Sequence, residues 1–264
     1  MKVIGTSVIQ TEPVIQTGLV IQSGLVIDPF RPTDIADARL WYDASDTSTI
    51  THSGGAVSSV TNKVTGGNPA YQTLAASKPT TGATTINGRN ALSFDGGDAL
   101  IIDDFTYSVL GQTIFIVAQT SLTTEQWILA HYDTGGNQRA WGVFASNSSN
   151  LLVHSVSPDG TAASLRNVTT TNTIGTNPKL LTTRWVANDT DLYLNGVAET
   201  TGGTPASSML AATPKLTIGA RYISGALATF LTGKIGEIIM YDRALTEIER
   251  GKVSSYLLAK WGLP

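Results

Sequence analysis

The chain has 264 residues with a formal net charge of −3, 14% charged residues, 37 threonines and no cysteine. The slightly acidic balance argues against a nucleic-acid partner, and the absence of cysteine excludes disulfides and cysteine-ligated metal sites. At 41% hydrophobic residues the chain can build a packed core, so wholesale disorder is not expected. Abundant threonine and glycine favour strands and turns over helices.

The start of the chain carries neither the unbroken apolar stretch nor the cleavage site of a signal peptide. No stretch of the sequence approaches the 18 apolar residues that a membrane span requires. We therefore expect a protein that is made in a host cytoplasm, has no membrane partner, and leaves the cell without a conventional signal, for example on lysis.

Residues 8–31 divide into four hexads, VIQTEP, VIQTGL, VIQSGL and VIDPFR. Six is a multiple of the strand period, so the repeated apolar pairs share one face if the segment is extended. Three interpretations stay open: edge strands of the same domain, an arm that adds strands to neighbouring subunits, or a disordered leader. The predicted partner-binding residues are Val8, Ile9, Val14, Ile15, Val20, Ile21, Val26 and Ile27.

After Pro29 and Pro32, short apolar runs alternate with clusters of Gly, Asn, Asp, Ser and Thr, a pattern typical of a β-sandwich or barrel. Asn195-Gly196 between alternating segments predicts a tight hairpin. Residues 46–88 and 199–214 are expected to be long loops with short strands. The predicted strands are 39–43, 90–94, 99–102, 113–119, 126–131, 140–145, 150–156, 179–186, 191–195, 215–219 and 234–241.

One helix is predicted, and it closes the chain. Apolar residues recur at mostly helical spacing between Leu245 and Trp261. Thr246 is placed as the N-cap with Glu249 as its capping-box partner, and Gly262 ends the helix. A helix of this length is marginal in isolation, so its apolar stripe should dock on the β-domain.

Four stretches occur in the order expected of one family: RLWYDASDTSTIT, INGRNALSFDGGDAL, DLYLNGV, and LTGKIGEIIMYDRALTEIERGKVSSYLLAKWGL. Together they resemble the laminin-G-like jelly roll of the concanavalin A-like lectin/glucanase superfamily, of the type found in bacterial and phage structural proteins. The resemblance covers residues 39–263. It implies an all-β, two-sheet antiparallel jelly-roll sandwich over 39–264, preceded by an extended N-terminal arm and linker over 1–38.

The sequence contains no recognisable catalytic constellation, so we predict that the protein is not an enzyme and has no cofactor. Glucanases of this superfamily carry a Glu-x-Asp-x-x-Glu strand pattern, and none of the six glutamates forms it. Glu237 is interpreted as a surface or rim residue. His131 and His154 lie in strand patterns, where a structural role is expected.

Four acidic residues, Asp95, Asp98, Asp103 and Asp104, cluster within ten positions. Calcium would suit such oxygen ligands, but the FDGGD turn favours carboxylates that cap backbone amides, so no metal site is predicted. Trp127, Trp141 and Trp185 are assigned to the core. Tyr132 and Tyr222, at strand ends beside loops, are the carbohydrate-binding candidates.

The main functional hypothesis is a structural virion protein of a tailed bacteriophage, a capsid decoration or a spike or tail component, attached to other virion proteins through its arm. A homo-oligomer, with a trimer as the expected state, would follow from the symmetry of virions. The alternative is a carbohydrate-binding or host-adhesion module that recognises a cell-surface glycan. A hydrolase is the third and weakest hypothesis.

Overall fold

Alternating apolar and polar residues place most of this chain in short antiparallel strands. The computed structural model describes residues 29–121, 124–147 and 149–264. The chain divides into two units, Met1–Phe30 and Arg31–Pro264, and the elements below belong to the second. The hexad residues predicted to bind partners, from Val8 to Ile27, lie outside the described residues.

The strands are numbered β1 to β21 in chain order. The first eleven are β1 (Ala38–Asp43), β2 (Ile50–Ser53), β3 (Ala56–Val60), β4 (Ala70–Tyr71), β5 (Thr85–Ile86), β6 (Arg89–Asn90), β7 (Leu92–Asp95), β8 (Leu100–Ile102), β9 (Gly111–Thr120), β10 (Gln126–Asp133) and β11 (Gln138–Ala145). The others are β12 (Leu151–Val156), β13 (Arg166–Thr173), β14 (Lys179–Val186), β15 (Asp189–Leu194), β16 (Val197–Ala198), β17 (Thr201–Gly202), β18 (Leu216–Ile218), β19 (Arg221–Ile223), β20 (Ala226–Ala228) and β21 (Thr232–Tyr241).

Seven strands form the smaller sheet, in the order β1-β21-β9-β14-β15-β16 with β7 also paired to β21. Strand β21 is long enough to pair with β7 along its first half and with β1 along its second half. All the pairs in this sheet are antiparallel. The start of β21 therefore lies beside the end of β7 and the end of β9.

Twelve strands form the larger sheet, in the order β17-β13-β12-β11-β10-β18-β8-β4-β3-β2. The remaining two are β19, which pairs with β10 in parallel, and β20, which forms a hairpin with β19. Strands β5 and β6 form a separate hairpin. The two antiparallel sheets, the sandwich and the closing helix confirm the jelly-roll prediction.

The main core lies between the two sheets and takes alternate residues from both. On β11, Trp141 and Val143 face this core, whereas Phe144 faces the outer side of the larger sheet. His131 and His154 are fully buried on the inner face, as the structural role predicted for them requires. Burial lowers the pKa of His131 to about 4 and that of His154 to about 3, so both imidazoles are neutral.

The C-terminal helix α1 (Glu247–Trp261) packs on β9 and β14, covering the outer face of the smaller sheet. The predicted capping box is confirmed, because Thr246 Oγ1 accepts from the Glu249 amide and the Glu249 carboxylate accepts from the Thr246 amide. Gly262 ends the helix in the left-handed conformation, as predicted. In the described part of the chain, no helix is long and apolar enough to cross a membrane.

The segment that precedes β1 also packs on the sandwich. The Tyr241 hydroxyl donates a hydrogen bond of 2.8 Å to the Pro32 carbonyl, and Ile35 is buried. The sequence placed the boundary between arm and domain at residue 38, whereas the second unit begins at Arg31. Residues 31–38 are therefore part of the sandwich unit.

Candidate functional site

The two tyrosines selected as carbohydrate-binding candidates have different surroundings. Tyr132 is only 3% exposed and packs inside an aromatic cluster, so the prediction that its ring lies at the surface is wrong. Tyr222 is half-buried and keeps part of its surface open to solvent. Of the two, Tyr222 is the residue around which a surface site can be built.

Tyr132 is buried because an arginine covers the cluster to which it belongs. Trp127 stacks on Phe144 with ring centroids 4.5 Å apart, and the Tyr132 ring lies 4.7 Å from Trp127. The Arg221 guanidinium lies 4.7 Å from the Trp127 centroid and 5.3 Å from the Tyr132 centroid. A cation over an aromatic face is attracted by the ring quadrupole, so Arg221 closes this surface to a ligand.

A glutamate and a glycine fix the same cluster. Glu125 Oε1 accepts a hydrogen bond of 2.8 Å from Trp127 Nε1 and lies 3.4 Å from Arg221 Nη2. Gly142 leaves the space that the indole fills, because a Cβ at this position would lie 2.2 Å from the Trp127 ring. The cluster is therefore a closed structural layer on the outer face of the larger sheet.

The β19–β20 hairpin brings Tyr222 to the end of β10. Both carboxylate oxygens of Asp133 accept from the Gly225 amide, at 3.2 and 3.1 Å. Thr134 Oγ1 accepts from the Ser224 amide at 3.0 Å. Because these bonds hold the hairpin tip, Tyr222 keeps its position beside Asp133 in the β10–β19 pair.

A polar group of side chains lies on the same outer face, and we call Tyr71, Asp103, Lys215 and Tyr222 the outer patch. The Tyr71 hydroxyl donates to Asp103 Oδ2 at 2.5 Å, and Lys215 Nζ lies 2.7 Å from Asp103 Oδ1. Burial raises the pKa of Tyr222, and the charges of Lys215, Tyr71, Asp103 and Asp133 also act on it. Tyr222 is thus within electrostatic range of the Asp103–Lys215 pair.

Cross-strand register explains why these residues share a face. Tyr71 pairs with Ile101 of β8, and Ile101 pairs with Thr217 of β18. Asp103 comes two residues after Ile101, and Lys215 comes two residues before Thr217. Because side chains alternate along a strand, Tyr71, Asp103 and Lys215 point to the outer side of the larger sheet.

Asp103 and Lys215 of the outer patch stay ionised at neutral pH, and the patch is open to water. Hydrogen bonds from Lys215 and Tyr71 lower the pKa of Asp103, and the bond to Asp103 raises the pKa of both partners. The side chains of Lys215 and Asp103 are 51% and 40% exposed. The patch therefore offers a carboxylate acceptor, an ammonium donor and two phenolic hydroxyls, groups that can hydrogen-bond the hydroxyls of a sugar.

A second cluster of charged side chains lies under α1 around Glu237, which is 0% exposed, so its interpretation as a surface or rim residue is wrong. Oε1 accepts from Trp41 Nε1 at 2.7 Å and from the Tyr256 hydroxyl at 3.2 Å. Oε2 accepts from Lys260 Nζ at 2.7 Å and from Trp261 Nε1 at 2.8 Å. The helix supplies three of these four donors, and for that reason the carboxylate can be buried.

Asp43 belongs to the same network. Its Oδ2 lies 2.6 Å from Lys260 Nζ and 3.3 Å from Lys63 Nζ. Burial alone would raise the pKa of Asp43, but Lys260, Ser45 and Lys63 together hold it below its usual value. Burial raises the pKa of Glu237, and the charge of Asp43 acts in the same direction. Lys260 bridges the two carboxylates, which leaves no room for a substrate between them.

The FDGGD turn has the structural role that the sequence predicted. Asp98 Oδ2 accepts from the Asp95 amide at 3.0 Å, and Asp95 Oδ1 accepts from the Gly97 amide at 2.9 Å. Across residues 29–121, 124–147 and 149–264, no group of three or more His, Asp or Glu side chains converges as metal ligands would. The absence of a metal from the functional protein stays a prediction.

Sequence reasoning missed Tyr71, Asp103 as a surface acceptor, and Lys215. Tyr71 lies in a two-residue strand inside the stretch expected to be loop, and Lys215 stood at the start of a predicted strand without any motif. The alternation around Ile101 and Thr217 gives the face of each residue, but the sequence does not give the order of β18, β8 and β4 in the sheet. That order brings the three side chains together.

Comparison with known proteins gives one family. A family model described as Laminin_G_3 of the concanavalin A-like lectin/glucanases superfamily matches residues 94–249. Among curated protein sequences, none matches this chain.

Solved structures share the fold at low sequence identity. Domain 4 of AbnA, an extracellular arabinanase from Geobacillus stearothermophilus in complex with arabinotriose, is 15% identical with a TM-score of 0.55, covering 83% of this chain and 99% of that one. The Ruminococcus gnavus IT-sialidase CBM40 bound to α2,3-sialyllactose is 16% identical with a TM-score of 0.50, covering 62% and 96%. The binding domain of botulinum neurotoxin serotype G is 12% identical with a TM-score of 0.60, covering 86% and 54%.

Proposed function

We propose that the Arg31–Pro264 unit is a carbohydrate-binding module. The family model matches more than half of this chain, so the chain belongs to the concanavalin A-like lectin/glucanase superfamily. The observation that carries the proposal is the outer patch, where Tyr71, Asp103, Lys215 and Tyr222 present polar groups on an exposed sheet face. Two structures of similar fold hold a sugar, arabinotriose in one and sialyllactose in the other, which supports the proposal.

The chemistry of the outer patch suits a neutral sugar. The charges of Asp103 and Lys215 cancel across a distance of 2.7 Å, and Asp133 adds a further negative charge nearby. A neutral sugar can donate hydroxyl protons to Asp103 and accept from Lys215 without bringing a charge of its own. Tyr222 offers a ring on which the apolar face of a sugar can pack.

The module is proposed to bind without catalysis. Glycoside hydrolysis needs two carboxyl groups that flank an open bond, about 5–9.5 Å apart. The paired carboxylates Asp43 and Glu237 are buried and already bridged by Lys260. In the outer patch, Asp103 is held ionised by its partners, so it is a poor general acid.

The test is a binding measurement on the full chain. A glycan array identifies a neutral oligosaccharide ligand, and isothermal titration calorimetry then compares the wild type with Tyr222→Ala and Lys215→Gln. We expect each variant to weaken binding about tenfold or more, equivalent to roughly 1.4 kcal/mol, because each removes a direct contact. Tyr222→Phe keeps the ring and should retain most of the affinity if packing dominates.

Tyr193→Ala is the matched control. Tyr193 is a partly exposed tyrosine on β15 of the other sheet, where the Arg250 guanidinium lies 3.9 Å from its ring centroid. It should leave glycan affinity unchanged. Affinity that survives both outer-patch substitutions would place the sugar elsewhere, and the lack of any glycan ligand would contradict the proposed function.

A virion role for the N-terminal segment is a second proposal, and it rests on the hexad repeat alone. The four hexads place Val and Ile pairs at a constant spacing that suits strand addition to a neighbouring subunit. Deleting residues 1–30 should leave a folded, sugar-binding Arg31–Pro264 unit that no longer co-purifies with virus particles. If the truncated chain joined its assembly with unchanged affinity, the arm hypothesis would be wrong.

A further inference from the structure

An open groove of about 390 Å³ lies at the sheet end where β7 and β9 finish and β21 begins. We call it the end groove. None of the outer-patch residues lines it, and it belongs to a different sheet. The family match and the sugar-binding proposal assign nothing to this surface.

Most of the residues that line the groove have polar side chains, and their apolar parts form much of its surface. Ser93 of β7, Lys234 of β21 and Gln119 of β9 pair directly across the three strands, so they form one row on one face. Neighbouring strands lie about 4.8 Å apart, so the row spans roughly the length of two sugar rings. Thr176 and Thr232 add exposed hydroxyls at the rim.

Lys234 carries the charge of the end groove. Among the described residues that line it, Lys234 alone has a charged side chain. Its ammonium donates to the neutral Thr85 carbonyl at 3.2 Å. Asp95 pairs with Thr232, two residues before Lys234. Its Oδ1 accepts a hydrogen bond from the Gly97 amide of the same turn.

Thr120, the neighbour of Gln119 in β9, is 5% exposed, and its hydroxyl has no hydrogen-bond partner among the described residues. Because side chains alternate along a strand, Thr120 points to the inner side of the sheet, opposite to Gln119, so it is not part of the row.

From this arrangement we propose that the end groove binds an acidic saccharide, with the sugar carboxylate on Lys234 and the sugar hydroxyls on Ser93, Gln119 and Thr232. An ammonium among hydroxyl and amide groups suits a ligand that carries carboxylates and many hydroxyls. This chemistry differs from that of the outer patch, where each charge has an internal partner. The end groove is therefore a second site with a different ligand class.

The experiment uses the full chain labelled with ¹⁵N and two probes that differ only in charge. The probes are a galacturonic acid tetramer and its fully methyl-esterified, neutral form. The acidic tetramer should shift the amide resonances of Ser93, Gln119 and Lys234. The ester should bind at least tenfold more weakly, and added salt should weaken the acidic probe because the contact is a charge pair.

Variants separate this site from the outer patch. Lys234→Gln should weaken the acidic tetramer at least tenfold, whereas Lys252→Gln, at an exposed position of α1, and Tyr222→Ala should leave it unchanged. The proposal is overturned if Lys234→Gln keeps wild-type affinity, if the ester binds as well as the acid, if the shifts map to Tyr222 and Lys215, or if the acid does not bind. Each of these results leaves the neutral-sugar test of the outer patch independent.

Discussion

At the scale of single residues, a buried carboxylate requires donors for its lone pairs. Removing an ion from water costs several kcal/mol, which only close charges and hydrogen bonds can offset. Glu237 has two indole N–H groups, a phenol and an ammonium within 3.2 Å. Three of the donors come from α1, so this one side chain ties the helix to β21.

Replacing Glu237 tests the importance of that tie. Glu237→Gln keeps the shape but removes the charge, and it turns one acceptor oxygen into an amide that faces the donors Lys260 and Trp261. We expect a loss of about 3 kcal/mol in the free energy of unfolding, measured by urea denaturation, since buried donors such as Trp261 Nε1 lose a charged acceptor. Glu247→Gln, at an exposed position of the same helix, should change stability by less than about 0.5 kcal/mol.

The same residue shows the limits of sequence reasoning. A glutamate in the predicted strand 234–241 reads as outward-facing, and outward is the correct direction. The sequence did not show that α1 covers this face of the sheet and brings Trp261 over Gly236, where a Cβ would lie 2.8 Å from the ring. Tyr132 failed in the same way, because Arg221 covers it from a hairpin about 90 residues away.

At the scale of elements, local signals were sufficient where the stabilising contacts are local. The capping box of Thr246 and Glu249, the left-handed Gly262, and the Asn195-Gly196 turn with φ of 50° and 77° are set by neighbouring residues. Strand β13 (Arg166–Thr173) was not predicted, because its sequence RNVTTTNT has little apolar alternation. It is a strand because it pairs with the preceding strand β12 and with β17, which comes four strands later.

The β19–β20 hairpin shows how an element positions the candidate site without a sequence signature. Its tip is held by Asp133 and Thr134 at the end of β10. Arg221 and Tyr222 are neighbours in β19, yet the first covers an aromatic cluster and the second joins the outer patch. Tyr222 could be selected from the sequence as a tyrosine beside a loop, but its partners Tyr71 and Lys215 depend on sheet order.

At the scale of the whole molecule, the order of motifs was enough for the fold, because a jelly roll is specified by the sequence of strands and turns. The order of motifs was not enough to locate the candidate sites, because each site forms where strands that are distant in the chain become neighbours. Tyr71 and Lys215 are separated by 144 positions but meet on Asp103. In the interior, by contrast, the sequence did identify the important residues. His131 and His154 were predicted to be structural, and they are buried as neutral groups that make stability depend on pH.

The buried histidines should therefore make the protein less stable in acid. Each histidine has a folded pKa, about 4 and about 3, below the unfolded value near 6.5, so its contribution is complete above pH 6.5 and is lost as pH falls. Asp98, Glu237 and Asp242 act in the opposite direction, because burial raises the pKa of each, that of Asp98 to about 6, and their contribution is lost as pH rises. The loss that belongs to each histidine between pH 6.5 and 4.5 is about 2 kcal/mol, and a variant that removes one histidine isolates it.

The measurement is urea unfolding of the full chain at half-unit steps between pH 4.5 and 6.5. Between pH 6.5 and 4.5, His154→Gln should lose about 2 kcal/mol less stability than the wild type, since one of the two buried imidazoles is gone while Gln112, its partner at 2.9 Å, can still bond an amide. His52→Gln, at an exposed position of β2, controls for the loss of a histidine. If His154→Gln and the wild type lost the same stability over this range, the interior would accept a charged His154, and its imidazole would not be buried as described.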